Sequence, residues 1–209
     1  MNFSRQITGA ILAGGMSRRL GQDKPSLLLG GRPLALWVAQ ALTPWVEACW
    51  LVTNQPLAHL FLGLPLVTDH RPGQGPLGGL ETALFYARAP LVLAAAADAP
   101  FPASPLLGAL ASRAAQGVKT ALVCQTPLGL QPFPGIYSVR LLPRLTAFLN
   151  EGGRHARRFL EECRPLALPR EEVDRLDPEG RSFMNLNTPE DFEAAVRLVQ
   201  GDPELSPSS

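Results

Sequence analysis

Lysine is almost missing from this 209-residue chain, which has two lysines, Lys24 and Lys119, beside seventeen arginines. The net charge is only +1, which indicates neither a nucleic-acid surface nor a polybasic membrane patch. No uninterrupted apolar run approaches the roughly 18 residues that are needed to span a bilayer. The three cysteines, Cys49, Cys124 and Cys163, are widely separated, which fits neither a disulfide framework nor a zinc site and predicts buried free thiols.

The N-terminus, MNFSRQ, lacks the apolar core of a signal peptide before the first apolar run, so we expect a cytoplasmic protein. A composition of 46% hydrophobic and 18% charged residues is typical of an ordered, soluble chain. The length fits one domain with a well-buried core, which we place at residues 1–200, followed by a frayed tail over 201–209.

Near its start the chain has an apolar run, Ile7 to Ala13, that leads into a glycine-rich, basic loop. The loop carries three glycines and three basic residues: Gly14, Gly15, Gly21, Arg18, Arg19 and Lys24. A buried strand followed by such a loop lets backbone N–H groups and cations converge on phosphate. The P-loop is excluded, because five residues separate Gly15 from Gly21 and Pro25 follows the lysine. The dinucleotide fingerprint G-x-G-x-x-G is absent as well.

Apolar runs alternate with amphipathic segments, which predicts an α/β fold: a single Rossmann-like three-layer domain with a mostly parallel, mixed central sheet. The predicted strands are Ile7–Ala13, Cys49–Thr53, Leu66–Thr68, Leu91–Ala97, Thr120–Gln125, Gly135–Val139 and an outer strand over Pro165–Leu168. The predicted helices cover Pro33–Leu42, Leu80–Ala87, Ser104–Gln116, Leu141–Leu149, Arg154–Cys163 and a last segment after Thr188. Ser104 and Thr188 are predicted N-caps, with Asp191 three residues after Thr188.

Polar residues and a glycine follow four of the predicted strands. In open α/β sheets ligands bind beyond the C-terminal strand ends, so we expect Gly14, Asn54, Asp69 and Asp98 on one rim. Asp98 ends the most apolar strand, and burying its carboxylate is costly unless it is paired or holds a metal. Mg²⁺ prefers one or two carboxylates plus phosphate oxygens, which suits a single strand-end aspartate. A role for Asp98 in capping the following turn stays open.

The segment from Leu12 to Lys24, L-A-G-G-x-S-x-R-L-G-x-D-K, resembles the nucleotidyltransferase signature of the molybdenum cofactor guanylyltransferases. Three further stretches, residues 66–80, 94–102 and 185–190, match motifs of the same family. The resemblance implies transfer of GMP from GTP to the terminal phosphate of molybdenum-bearing molybdopterin, with release of pyrophosphate. It also implies Mg²⁺ as the metal. GTP and molybdopterin are then the substrates, and transient contact with molybdopterin-loading proteins or apo-molybdoenzymes is a further expectation, without nucleic acid or membrane.

The resemblance also implies roles for individual residues. Lys24, Arg18 and Asp98 are the implied catalytic residues, with Asp98 as the metal ligand. Nucleotide binding is implied for a larger set: Leu12, Ala13, Gly14, Gly15, Lys24, Asn54, Asp69, Gly78 and Gly79. The second substrate is expected to face Arg154, Asn185 and Asn187. Turn or cap roles stay open for Asn54, Asp69 and Asn187.

Two other kinds of function stay open. One is a related cytidylyltransferase or another small-molecule nucleotidyltransferase, although Gly14 and the Gly78–Gly79 pair leave room that suits a purine. The other is a non-catalytic nucleotide-binding adaptor that delivers the cofactor. The adaptor has no need of Lys24, Asp69 and Asp98 together, which argues against it. The three histidines, His59, His70 and His155, are isolated and predict no metal constellation.

Overall fold

The computed structural model of the chain describes residues 6–13 and 23–202. The strands are β1 (Ile7–Leu12), β2 (Leu28–Leu29), β3 (Arg32–Pro33), β4 (Ala48–Thr53), β5 (Leu66–Thr68), β6 (Leu91–Ala96), β7 (Ala121–Thr126), β8 (Gly129–Ser138) and β9 (Leu166–Leu168). The α-helices are α1 (Leu34–Leu42), α2 (Gly75–Tyr86), α3 (Ser104–Ala114), α4 (Leu142–Asn150), α5 (Ala156–Cys163), α6 (Arg170–Leu176) and α7 (Pro189–Gly201).

Seven strands form the central sheet in the order β5-β4-β1-β6-β8-β7-β9. Strand β8 runs antiparallel to both of its neighbours, and the other pairs are parallel. The exception has a local cause, because only two residues separate the paired Thr126 and Gly129, and a connection that short can join only antiparallel strands. The prediction of a mostly parallel, mixed sheet is confirmed.

Side chains alternate between the two faces of the sheet and meet different helices on each. Along β1, Ile7 and Ile11 pack in one core cluster with side chains of α1, α3 and α6. Ala10 and Leu12 belong to the cluster on the opposite face, with side chains of α2, α4 and α5. The result is the predicted three-layer arrangement. Of the predicted buried thiols, Cys124 and Cys163 are buried and Cys49 is half-buried.

A third apolar cluster joins the start of the chain to its end. The β2–β3 hairpin turns at Gly30 and Gly31, whose φ angles of 59° and 79° favour glycine. Leu29 of this hairpin packs with residues of α1 and with Leu186 and Val199 from the C-terminal region. Helix α7 begins with the predicted capping box of Thr188 and Asp191. The C-terminal segment is therefore held against the residues that follow Lys24.

Several predicted helix starts differ from the structure, and α5 begins at Ala156, two residues after the predicted Arg154. Helix α2 begins at Gly75, five residues before the predicted start, because burial of this segment outweighs the poor helix propensity of its glycines. The N-cap of α3 is Ala103 instead of Ser104, and the Ala103 N–H donates to Ser182 Oγ. Within residues 6–13 and 23–202, no helix has the length and apolarity required to cross a membrane.

Candidate active site

The candidate site lies at the C-terminal rim of four parallel strands. Strands β5, β4, β1 and β6 are neighbours with the same direction, so their C-terminal ends share one edge of the sheet. Asn54, Asp69 and Asp98 follow these ends, which confirms the prediction for all three. Gly14, the fourth residue of the predicted rim, lies outside the described residues, as do the predicted site residues Gly15 and Arg18.

Lys24 contacts the rim at Asp98. It begins a 3₁₀ turn, Lys24–Ser26, and only 10% of its side chain is exposed. Its Nζ lies 2.7 Å from Asp98 Oδ2 and 2.7 Å from Asn187 Oδ1, so the ammonium donates to both oxygens. Bonds from an ammonium are among the stronger hydrogen bonds in proteins. The structure thus brings Lys24 and Asp98, which are 74 positions apart in the sequence, into direct contact.

The C-terminal segment is tied to the loop that carries Asp98. The N–H of Leu186 donates to the backbone oxygen of Asp98 at 2.8 Å. Asp191 accepts from the N–H groups of Asn187 and Thr188, and these bonds hold the pKa of its carboxyl below the ordinary value. Residue 187 is therefore fixed through its backbone, and its amide reaches Lys24. Sequence reasoning assigned Asn187 to the second substrate and missed this contact, which spans 163 positions.

Asp69 is buried, with 4% of its surface exposed. Its Oδ1 accepts from the Arg71 N–H at 2.9 Å and from Thr82 Oγ1 at 3.0 Å. This carboxylate thus organises the loop between β5 and α2, which corresponds to the turn role that the sequence left open. Contact between Asp69 and nucleotide stays a prediction.

Glu81 is a buried carboxylate that sequence reasoning missed. It is 2% exposed and lies 2.7 Å from Arg71 Nε and 2.9 Å from His70 Nε2. Thr146 Oγ1 of α4 also donates to it at 2.6 Å. The signal in the sequence was a single charged residue in the mostly apolar stretch LETALF. Glu81 joins α2 and α4 to the loop that contains Asp69.

Gly78 and Gly79 lie inside α2 and are buried, whereas the sequence placed them in a loop open to a base. A Cβ on Gly78 would stand 2.8 Å from the backbone oxygen of Arg71, which is too close. A Cβ on Gly79 would stand 3.5 Å from Leu12 Cδ2, which is an ordinary contact. Gly78 therefore lets helix α2 approach the loop that contains Asp69. Contact of either glycine with the base of a nucleotide stays a prediction.

Leu12 and Ala13 continue the rim between β4 and β6. The backbone oxygen of Leu12 accepts from the Ala97 N–H at 3.1 Å, and the Ala13 N–H donates to the oxygen of Val52 at 2.9 Å. Asn54 is exposed directly after β4. The nucleotide roles of these residues stay predictions.

All three residues that were predicted to face the second substrate, Arg154, Asn185 and Asn187, are exposed. The guanidinium of Arg154 donates to the backbone oxygens of Leu149 and Gly153, at 3.3 and 2.9 Å. The amide of Asn185 donates to the backbone oxygen of Phe183 at 3.3 Å. Asn185 and Asn187 lie on either side of the buried Leu186, close to the Lys24 contact. Binding of the second substrate by any of the three stays a prediction.

The donor set at this rim fits a metal that takes most of its ligands from substrate and water. Among the described residues, no group of three or more His, Cys, Asp or Glu side chains is arranged to hold a metal ion. Asp98 is a single carboxylate with a quarter of its side chain exposed, and it already faces one cation, the Lys24 ammonium. A lone accessible carboxylate of this kind is sufficient for Mg²⁺ bound through phosphates.

Comparisons with known proteins cover nearly the whole chain. Residues 9–168 match the family model of the MobA-like NTP transferase domain. The molybdenum cofactor guanylyltransferase of Cereibacter sphaeroides is 36% identical over 204 residues, which cover 94% of this chain and 99% of that protein. A probable molybdenum cofactor guanylyltransferase of Deinococcus radiodurans is 35% identical over 187 residues, which cover 89% and 92%.

A solved structure shows the same fold. The crystal structure of molybdopterin-guanine dinucleotide biosynthesis protein A from Archaeoglobus fulgidus is similar to this chain with a TM-score of 0.80. The two sequences are 26% identical, and the match covers 93% of this chain and 100% of the other. The similarity therefore extends over nearly the whole fold.

Proposed function

The chain belongs to the family of MobA-like NTP transferases, and we propose that it transfers GMP from GTP to the terminal phosphate of molybdenum-bearing molybdopterin. Pyrophosphate leaves, and the guanine dinucleotide form of the cofactor is the product. The observation that carries the proposal is the 2.7 Å contact of Lys24 with Asp98 at the C-terminal rim. The names of relatives that match over nearly the full length supply the substrates.

The reaction depends on alignment of the two substrates and on stabilisation of negative charge, and it does not require a general base. The acceptor phosphate is already anionic at neutral pH, so no side chain has to remove a proton from it. The chain must instead hold two anions together and stabilise charge on the pyrophosphate that leaves. A rim that carries an ammonium beside a carboxylate supports this chemistry.

Lys24 is suited to hold phosphate because its ammonium is a compact charge with three N–H donors. One donor can remain on Asn187 Oδ1 while another turns to a phosphate oxygen. Asp98 would hold Mg²⁺, which when bound neutralises charge on the phosphate oxygens. The low exposure of Lys24 strengthens its interaction with phosphate, since little water competes for the ammonium.

The remaining residues divide between the two substrates. Gly14, Gly15 and Arg18 are proposed to bind the triphosphate, next to Leu12 and Ala13. Asn54, Asp69, Gly78 and Gly79 are proposed for the nucleoside. Arg154, Asn185 and Asn187 are proposed for the acceptor, and the contact of Asn187 with Lys24 would bring that substrate beside the triphosphate.

The product must pass to an enzyme that uses it, so the proposal includes transient contact with apo-molybdoenzymes or molybdopterin-loading proteins. We expect the reaction in the cytoplasm, where GTP is available. Mg²⁺ is the proposed metal because the rim offers one accessible carboxylate, that of Asp98, and the substrate offers phosphate oxygens.

The proposal is tested by measuring pyrophosphate release from GTP with Mg²⁺, in the presence and absence of molybdenum-loaded molybdopterin. We expect release that depends on the pterin, together with a thermal shift caused by GTP and Mg²⁺. Parallel reactions with CTP, UTP and ATP test the base. Activity with CTP alone would contradict the guanine assignment.

A further inference from the structure

A buried histidine holds the residue that precedes Lys24. His59 lies in the 3₁₀ helix Pro56–Leu62, between β4 and β5, and is 1% exposed. Its Nδ1 lies 2.9 Å from Thr53 Oγ1, and its Nε2 lies 2.6 Å from Asp23 Oδ2. The ring therefore bridges the end of β4 and a residue 36 positions earlier in the chain.

Of the two hydrogen bonds of the ring, only the one to Asp23 has a fixed direction. The Asp23 carboxylate can only accept, so His59 Nε2 donates to it. Thr53 Oγ1 accepts from the Gln55 N–H at 3.0 Å, and its own hydroxyl proton is then free to go to Nδ1. A neutral ring satisfies both bonds. Asp23 Oδ2 also accepts from Ser26 Oγ at 2.7 Å, so this oxygen has two hydrogen-bond partners, His59 and Ser26.

Holding Asp23 constrains Lys24, because Asp23 is the residue from which the Lys24–Ser26 turn begins. The backbone oxygen of Asp23 accepts from the Ser26 N–H at 3.2 Å, and that of Lys24 accepts from the Leu27 N–H at 3.0 Å. The backbone position of Lys24 is thus fixed by the turn, and the position of its ammonium is fixed by Asp98 and Asn187. Loss of either constraint lets the ammonium move.

We propose that His59 is a positioning residue for Lys24. It fixes Asp23 against Thr53 and thereby sets where the ammonium stands before substrate binds, without touching substrate itself. Thr53 also connects this arrangement to the nucleoside side of the rim, since its backbone oxygen accepts from the Asp69 N–H at 2.9 Å. For activity the inference rests on the proposed function, but the position of Lys24 does not depend on it.

A buried and satisfied histidine can also serve stability alone, so the test needs matched variants. His59→Gln keeps an N–H that can reach Asp23, whereas His59→Leu keeps bulk and loses the bond. Leu62→Ala is the control for loosening, because Leu62 is 5% exposed in the same 3₁₀ helix and packs in the apolar core. All three are compared with wild type in melting temperature and in pyrophosphate release.

We expect His59→Leu to lower kcat by about tenfold or more, since small misplacements of a positioned group have effects of that size. The KM for GTP should change by less than about threefold, because substrate charge still attracts Lys24 in the ground state. His59→Gln should regain most of the lost kcat. Leu62→Ala should lower the melting temperature and leave kcat near wild type.

A second readout needs no activity, because the chain has only two lysines. Lys119 is exposed and serves as an internal reference for amine acetylation followed by mass spectrometry. His59→Leu should raise the acetylation rate of Lys24 relative to Lys119 severalfold. His59→Gln and Leu62→Ala should leave that ratio near the wild-type value.

Equal loss of kcat in His59→Gln and His59→Leu would overturn the proposal, as would equal loss in Leu62→Ala. An unchanged acetylation ratio in His59→Leu would also overturn it. If the wild type releases no pyrophosphate from GTP, the proposed function fails. The acetylation ratio then decides on its own whether His59 positions Lys24.

Discussion

Two aspartates follow strands of the same rim, but their carboxylates have different kinds of partner. Asp98 has a quarter of its side chain exposed, and the Lys24 ammonium that it holds comes from 74 positions away. Asp69 is 4% exposed, and its Oδ1 accepts hydrogen bonds from Arg71 and Thr82, which are only 2 and 13 positions away. Asp98 holds a side-chain ammonium from a distant part of the chain, and Asp69 shapes its own loop. Two aspartates at equivalent strand ends can therefore have different partners and different roles.

The difference has a physical basis in what each partner can do. A hydrogen bond to a backbone N–H maintains a turn, and breaking it leaves a buried donor without a partner. A contact with a lysine ammonium can be exchanged for phosphate, because the four-carbon side chain is flexible. We therefore expect substitutions at Asp98 to act on turnover and substitutions at Asp69 to act on stability.

The largest effect is expected for Asp98→Asn. The amide keeps the size and one acceptor for Lys24 but loses the charge that would hold a divalent ion, so turnover should fall about 10³-fold. Stability should fall by about 1 kcal/mol or less, since one acceptor remains. Pyrophosphate release and urea unfolding measure the two quantities. Asp174→Asn, on the exposed face of α6, is the control that should change neither.

Undiminished pyrophosphate release by Asp98→Asn would refute the assignment of Asp98 as the metal ligand. A large loss of stability would instead place Asp98 in the same class as Asp69. Either result would remove the contrast between the two aspartates.

A second test replaces the cation beside Asp98. Lys24→Arg keeps the positive charge but puts a planar fork where a compact ammonium stands between Asp98 Oδ2 and Asn187 Oδ1. We expect turnover to fall about 10²-fold through misplacement of the charge. Lys119→Arg, at an exposed position, should leave turnover unchanged. Wild-type turnover in Lys24→Arg would show that charge alone is sufficient.

At the other aspartate the main effect should be on stability. Asp69→Ala leaves the Arg71 N–H and the fully buried Thr82 hydroxyl without their acceptor, which should lower the free energy of unfolding by about 1–3 kcal/mol. Asp69→Asn retains Oδ1 and should remain close to wild type in urea unfolding. If Asp69→Asn lost as much turnover as Asp98→Asn, both aspartates would act through their charge.

Substitutions at two adjacent glycines of α2 are expected to change stability in opposite directions. Gly78→Ala places a Cβ against the Arg71 backbone oxygen and should destabilise the protein by about 1–3 kcal/mol, with a raised KM for GTP as the Asp69 loop shifts. Gly79→Ala meets only ordinary contacts and should stabilise the helix by about 0.5–1 kcal/mol. Thermal unfolding of the two variants side by side checks the sign of each change. A stabilised Gly78→Ala would show that the helix does not need its close approach to the loop.

Sequence reasoning located the rim because the rule it used is local. A polar residue after an apolar run can be read from neighbouring positions, and parallel strands then bring Asn54, Asp69 and Asp98 together. The glycines at 78 and 79 were placed in a loop because their intrinsic propensity opposes a helix, and only tertiary burial reverses that preference.

The partners of the site residues could not be read in the same way. Lys24 meets Asn187 across 163 positions, and Asp23 meets His59 across 36, through packing of elements whose relative placement no local pattern specifies. Asn187 was predicted as a site residue by resemblance, but its contact was not. His59 was set aside as isolated because a histidine in sequence shows no partner.

The long separation between Lys24 and Asn187 has a consequence for synthesis of the protein. At about 5–20 residues per second, the ribosome adds the asparagine roughly 10–30 seconds after the lysine. Strands β1, β4, β5 and β6 have all been translated by then, so a nascent chain can carry most of the sheet while the lysine still lacks one of its two anchors. Translation that stops before residue 187 would therefore release a chain with an unfinished rim.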